Sequence, residues 1–269
     1  MGILNITPDS FSGDGLWAPV NGRGTLDRVI ARAAECVAQG ADLVDVGGES
    51  TRPGAAPVGE DEELTRVIPV IEALAARFEV PISVDTSAPA VIREAATAGA
   101  ALINDVRALR RPGALAAAAA SGLPVCLMHM RGEPATMQAA PRYDDVVAEV
   151  RDFFAARIAA CEAVGIPRQA LLVDPGFGFG KTLTHNLALL RALADLAPSD
   201  VPVLVGLSRK RMVGDITGRP PADRVHGSVA LALLAARRGA AVVRVHDVAA
   251  TVDALQILAA VDYDTPPLP

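Results

Sequence analysis

Short aliphatic runs, each closed by a polar residue, recur along the chain. They read Ile3-Leu4-Asn5, Leu43-Val44-Asp45, Ser83-Val84-Asp85, Leu102-Ile103-Asn104 and Leu127-Met128-His129. The second half continues with Leu172-Val173-Asp174, Gly206-Leu207-Ser208-Arg209-Lys210 and Val242-Val243-Arg244-Val245-His246. Runs that are apolar on both faces suit strands of a parallel sheet covered by helices. The pattern predicts strands over Gly2–Thr7, Asp42–Gly47, Ile82–Thr86, Ala101–Asp105, Val125–Met130, Leu171–Asp174, Val203–Ser208 and Ala241–His246.

The intervening segments carry helical spacing. Arg28 to Ala38 is followed by Gly40, a stop signal. Val146, Val150, Phe153, Phe154, Ile158 and Cys161 fall on one helical face, as do Leu187, Leu190 and Ala194. Ser228 to Arg238 is almost wholly aliphatic and reads as a well-covered helix. Strands alternating with helices imply parallel pairing through right-handed crossovers. The chain has 269 residues, the size of a (β/α)8 TIM barrel of roughly 250 residues. In that fold the polar strand ends open on one face, where active sites lie. A doubly wound open sheet is the alternative. No Pro/Ser-rich linker divides the chain, so residues 1–269 read as a single domain of the α/β class.

Composition refines this. Apolar residues make up 51% and aromatics 3%, so the core is Ala, Val, Leu and Ile. The net charge of −6 argues against general nucleic-acid or membrane-surface binding, without forbidding a local basic pocket. Cys36, Cys126 and Cys161 form no C-x-x-C and suit reduced, buried thiols in a cytoplasmic protein. The longest apolar runs, such as Val229 to Ala236, fall short of a membrane span, and the first residues read as a strand rather than a signal peptide.

The stretch Asp174-Pro175-Gly176-Phe177-Gly178-Phe179-Gly180-Lys181 imitates nucleotide loops without matching one. Pro175 stands where a Walker loop needs glycine, and the glycines read G-x-G-x-G rather than G-x-G-x-x-G. The polar stops therefore carry the candidate chemistry. Asn5, Asp85, Asn104 and Asp174 offer acceptors and amides suited to a flat nitrogen heterocycle. Arg52, Lys210, Arg244 and His246 suit a phosphate or carboxylate. Together they suggest a nitrogen heterocycle bearing an anionic leaving group. No Ser-His-Asp spacing or H-E-x-x-H occurs, and His129, His185, His226 and His246 lack metal-site spacing. A magnesium ion held mainly by phosphate oxygens needs few protein ligands.

Several motifs resemble one family, the dihydropteroate synthases. They are Gly2-Ile3-Leu4-Asn5-Ile6-Thr7-Pro8-Asp9-Ser10-Phe11-Ser12, Asp45-Val46-Gly47-Gly48-Glu49-Ser50-Thr51-Arg52-Pro53-Gly54 and the Asp174–Lys181 stretch. Met128-His129-Met130-Arg131-Gly132, Thr136-Met137-Gln138, Ser208-Arg209-Lys210 and Arg244-Val245-His246-Asp247 complete the set in order. The resemblance implies a pterin-binding (β/α)8 barrel of folate biosynthesis. Its reaction joins 4-aminobenzoate to 7,8-dihydropterin-6-ylmethyl diphosphate, with magnesium as cofactor, sulfonamides competing at the aminobenzoate site and a homodimer as the assembly.

Carried over by motif, Asp85, Asn104, Asp174 and Lys210 form the pterin pocket. Asn5, Arg244 and His246 form the diphosphate site, with Asn5 near magnesium. Thr51, Arg52, Pro53 and Ser208 lie on the aminobenzoate side, with the loop carrying Asp9 and Phe11 as a lid. Lys210, Asp85, Arg244, Asp9 and Phe11 are the implied catalytic set. Lys181 and Arg131 read as solvated loop charges, His129 as either a core or a functional histidine, and Asp45 as either a brace or a site residue.

Two departures stand out. The first loop reads Asp9-Ser10-Phe11-Ser12-Gly13-Asp14-Gly15 where the family has D-S-F-S-D-G-G, and the chain begins on its first strand. A non-catalytic pterin-binding paralogue remains an alternative, as does a pterin-dependent methyl transferase. Arg52, Lys210, Arg244 and His246 argue against the methyl transferase, which needs no diphosphate site.

Overall fold

The computed structural model describes residues 1–7, 15–16, 23–50, 58–134 and 136–262. The eight expected strands form, as β1 (Gly2–Asn5), β2 (Val44–Gly47), β3 (Ile82–Asp85), β4 (Leu102–Asp105), β5 (Val125–Met128), β6 (Leu171–Asp174), β7 (Val203–Val205) and β8 (Ala240–Val243). Every neighbouring pair is parallel and the strands lie in sequence order. A doubly wound sheet reverses its strand order at a switch point, and these strands do not. Beyond β8, Val245 forms a parallel bridge to Gly2. Ile3 N–H donates to Val245 O at 3.2 Å, and Val245 N–H donates to Met1 O at 3.0 Å.

Most strands stop earlier than their apolar runs suggested, because the chain leaves the sheet at or near its polar residue. After β7, for instance, Leu207 to Lys210 turns through Arg209 at φ 56°. The helices are α1 (Arg23–Ala38), α2 (Glu60–Ala75), α3 (Pro89–Ala98), α4 (Ala114–Ser121), α5 (Val146–Ala163), α6 (Leu183–Arg191), α7 (Arg211–Thr217), α8 (Val225–Ala236) and α9 (Val248–Asp262).

Alternate residues of each strand serve different layers. Leu4, Val46, Val84, Ile103, Leu127, Val173 and Val205 join the large core beneath the helices. A separate small cluster of Met1, Leu102, Cys126 and Leu204, flanked by Leu43, Leu172 and Val242, belongs to the other face. Asp45, Asp85, Asn104 and Asp174 fall on that second set of positions, nearer the carboxyl ends. The sheet thus presents an apolar floor with polar residues above it.

The helix periodicity was readable where the helices are amphipathic. Val146, Val150, Phe154, Ile158 and Cys161 are buried on α5, whose cap Asp145 accepts from Val147 N–H and Ala148 N–H at 2.9 and 3.1 Å. Two expectations need correction. Ala194 does not continue the face of Leu187 and Leu190: α6 ends at Arg191, and Ala194 is exposed in the short 3-10 turn that follows. The aliphatic segment at α8 is covered on one side only, with Ser228, Leu231, Ala232 and Ala235 buried and Leu234 exposed.

Candidate active site at the carboxyl ends of the strands

Asn5, Gly47, Asp85 and Asn104 are successive register partners across β1 to β4. Asp45 lies one row deeper, paired with Ile3 and Ser83, and is wholly buried. Arg244, just past β8, spans both rows. Its Nε donates to Asp45 Oδ2 at 2.6 Å, and a terminal nitrogen donates to Asp85 Oδ2 at 3.1 Å. Asn104 Nδ2 donates weakly to Asp45 at 3.3 and 3.4 Å. Burial and the neighbouring Asp45 push the Asp85 carboxyl up to about 8, with Arg244 opposing. Burial works against the Arg244 charge, but Asp45 and Asp85 outweigh it and raise its pKa. A buried pair of this kind costs about 3–5 kcal/mol to break, because the surviving charge is left uncompensated.

The opposite side is built around the glycine-rich stretch after β6. Asp174 Oδ1 accepts from Gly176 N–H at 2.7 Å. Gly178 N–H donates to Asn186 Oδ1 at 2.9 Å and Phe179 N–H to Gly176 O at 3.0 Å. A phosphate-binding loop presents its amides to the anion; here these amides are spent internally. The carbonyls face cations and polar side chains instead. Lys181 Nζ donates to Gly176 O and Phe179 O, each at 3.0 Å. Lys210 Nζ donates to Phe177 O, Gln138 Nε2 to Gly178 O, and Tyr143 Oη to Gly180 O. Gly176 and Gly180 are required by contact as well as by their positive φ. A Cβ on Gly176 would lie 2.0 Å from His129 O, and one on Gly180 2.3 Å from Arg131 O.

Lys210 Nζ also sits 4.7 Å from the centre of the Phe179 ring, a cation–π contact. Phe179 packs on an apolar wall of Val106, Met128, Met130 and Met137. Burial pushes the Lys210 ammonium down to about 8; Asp174 opposes this and Arg244 adds to it. Burial raises the Asp174 carboxyl, with Lys210 the largest opposing charge. The arrangement offers a carboxylate, an amine of lowered basicity and an apolar wall side by side.

Asp85, Asn104, Asp174, Lys210 and Arg244 are therefore brought together. Neither aspartate is a helix cap, since α3 and α6 are capped at Ala88 and Thr182. Ser208 and His246 meet as a pair, His246 Nδ1 lying 2.9 Å from Ser208 Oγ. Arg244 and His246 flank Val245, which bridges to Gly2, and their side chains take separate partners, Asp45 and Asp85 for Arg244 and Ser208 for His246. Arg209 points away from Lys210, toward Asp247. Asp9, Phe11, Thr51, Arg52 and Pro53, and with them the expected lid, lie outside the described residues. Lys181 is not a solvated charge: it is 3% exposed and inserted between two loops. Arg131 is half exposed, paired with Glu149 and stacked on Tyr143.

The sequence profile of the family described as pterin binding enzyme matches residues 1–246. The chain is 56% identical over 260 residues to the dihydropteroate synthase of Escherichia coli (strain K12), covering 97% of this chain and 90% of the relative. The chain belongs to the dihydropteroate synthase family. A Yersinia pestis dihydropteroate synthase crystallised with a sulfonamide drug complex superposes with a TM-score of 0.92 at 56% identity, covering 97% of this chain and 92% of that one. The Xanthomonas albilineans dihydropteroate synthase in complex with 7,8-dihydropteroate gives a TM-score of 0.85 at 50% identity, covering 99% and 93%.

In this dihydropteroate synthase family member, sequence reasoning missed the supports around the site. Glu49, at the root of the segment carrying Thr51 to Pro53, is buried against Arg107, with contacts of 2.9 and 3.4 Å. Arg107 also meets Ser87 Oγ at 3.2 Å, and Asp105 accepts from the amides of Arg107 and Leu109 at 2.7 Å each. The doublet Asn104-Asp105 was the available signal, since alternation sends one side chain to each face. Among the described residues no group of three or more His, Cys, Asp or Glu could hold a metal ion. Asn5, half-buried at the end of β1, supplies a single amide oxygen. That donor set fits a magnesium ion carried on a diphosphate, not one caged by protein alone.

Proposed function

We infer that this transferase joins 7,8-dihydropterin-6-ylmethyl diphosphate to 4-aminobenzoate, releasing diphosphate and forming 7,8-dihydropteroate. The convergence of Asp85, Asn104, Asp174, Lys210 and Arg244 at one end of the sheet carries the reading, in a chain 56% identical over 260 residues to a dihydropteroate synthase. Asp174 accepts from the pterin's amino and ring N–H groups, a charge-assisted pairing. Asp85 and Asn104 complete that edge, and Lys210 with Phe179 holds the opposite face of the heterocycle.

Arg244 is held by Asp45 and Asp85 through Nε and one terminal nitrogen. Its remaining N–H groups, with His246, are directed to the diphosphate. As the C–O bond to diphosphate breaks, these cations stabilise the departing anion and the carboxylates stabilise the electron-poor pterin methylene. The aromatic amine of 4-aminobenzoate is already neutral at pH 7 and attacks the methylene without a strong base; the proton it sheds on forming the C–N bond passes to solvent or the released diphosphate. Ser208 belongs to the aminobenzoate side of the site, and the family motifs give Thr51, Arg52, Pro53, Asp9 and Phe11 to the same substrate. Magnesium, when bound, supplies positive charge to the diphosphate, with Asn5 as its protein ligand.

The parallel bridge between Gly2 and Val245 supports reading the sheet as a closed (β/α)8 barrel forming a single domain. Exposed Ile216, Leu234, Ile257 and Val261 on α7, α8 and α9 support a homodimer through those helices. Free, buried Cys36, Cys126 and Cys161 support a cytoplasmic setting. No described helix is long and apolar enough to cross a membrane. The test is turnover: purified protein with both substrates and magnesium should release diphosphate and dihydropteroate, with a sulfonamide competing against 4-aminobenzoate. Pterin binding without diphosphate release would overturn the assignment.

A further inference from the structure

We propose that Lys181 is a positioning residue for the pterin side of the site, pinning the loops after β5 and β6 to each other so that Lys210 is correctly held. The inference rests on the reading of Asp174 and Lys210 as the pterin side. Lys181 itself is 3% exposed, and its ammonium is turned to backbone carbonyls and His129. Its Nζ lies 3.0 Å from Gly176 O and from Phe179 O on its own loop. Across the gap it lies 3.2 Å from His129 O and 2.9 Å from His129 Nδ1. An ammonium has three N–H donors, and four acceptors surround this one, so one donor is shared.

The consequences run to the pocket through short links. Between Gly176 and Phe179 lies Phe177, whose carbonyl accepts from Lys210 Nζ. Phe179 itself supplies the ring beneath the same ammonium. His129 N–H donates to Asp174 O at 2.8 Å, so the far side of the pin is tied to the pterin carboxylate's own backbone. The missing side chains of Gly176 and Gly180 allow the two loops to approach closely enough for one ammonium to bridge them. Without the cation, Gly176 O and Phe179 O lose a donor and the ring under Lys210 loses its fixed distance from Asp174. The charged and titratable groups around the pin are Asp174 and Lys210 on one side, and His129 with Arg110 and Arg131 on the other.

Lys181→Met keeps the length and removes the donors. Relative to wild type, the KM for pterin diphosphate should rise at least about tenfold, with the KM for 4-aminobenzoate within about twofold. If that variant does not fold, His129→Leu removes one acceptor and spares the carbonyls. It should raise the pterin KM about threefold, and His129→Asn, whose amide oxygen can take the place of Nδ1, should restore it. Equal changes in both KM values, or an unchanged pterin KM, would reduce Lys181 to a general stabiliser of the fold. Wild-type protein that fails to turn over would instead overturn the functional reading, leaving the two failures distinct.

Discussion

Two charge clusters face each other across the strand ends and are made of opposite materials. On the β2–β3 side a guanidinium lies between two carboxyl groups, Asp45 and Asp85. On the β6–β7 side a carboxylate, Asp174, lies within the field of two ammonium groups, Lys181 and Lys210. Burial acts on both, with different outcomes. Arg244 stays charged, because a delocalised guanidinium does not surrender its proton in proteins. The lysines give way, to about 7 for Lys181 and about 8 for Lys210. The charge at the centre of the arginine cluster is fixed, whereas the charges at the centre of the lysine cluster are adjustable.

Removing the guanidinium gives the largest effect. Arg244→Met leaves Asp45 and Asp85 facing each other, and unfolding in urea should show a loss of about 3–5 kcal/mol. Arg244→Lys should retain part of that stability but lose turnover, since a point charge cannot span two carboxyl groups and a diphosphate. On the other side, Asp174→Asn replaces an acceptor with a donor. Calorimetry with a pterin ligand should show a loss of about 2–4 kcal/mol, the range for leaving a charge-assisted contact unmade.

Titration separates the clusters more finely. Asp85 holds its proton to about 8, against an ordinary 3.8. Between those values the folded state binds the extra proton, so this group's contribution falls as pH rises. Lys181 and Lys210 release protons at about 7 and about 8, against an ordinary 10.5. There the unfolded state binds more protons, so their contribution rises with pH up to about 10.5. Denaturation from pH 4 to 10 should therefore show Asp85→Asn flattening the acid-to-neutral slope and Lys181→Met flattening the alkaline one. The smallest effect belongs to the periphery. Tyr143→Phe removes the 2.9 Å bond to Gly180 O and should cost about 0.5–1.5 kcal/mol in urea, with turnover little changed.

The strands and the polar residues at their ends were legible because a strand covered on both faces leaves a distinctive apolar run. Alternation and strand order put Asp85, Asn104 and Asp174 among the polar strand ends, but grouping them with Lys210 in one pocket came from the family resemblance. The partnerships were not legible. Arg244 meets Asp45 and Asp85 across 199 and 159 residues, distances that no local pattern encodes. Lys181 follows three glycines and looks like a loop charge; only the approach of the β5 loop buries it. Ala194 was misplaced because helical spacing does not mark where a helix tightens into a 3-10 turn. At α8, aliphatic composition gave no indication of which face is covered.

If the fixed and adjustable clusters grip one heterocycle between them, pterin affinity must depend on both. Calorimetric titration of a pterin ligand into wild type, Asp85→Asn and Asp174→Asn tests this directly. Each substitution is expected to weaken binding by more than about tenfold, a loss of about 1.4 kcal/mol or more. Wild-type affinity in either variant would remove that cluster from the pterin site and contradict the shared grip.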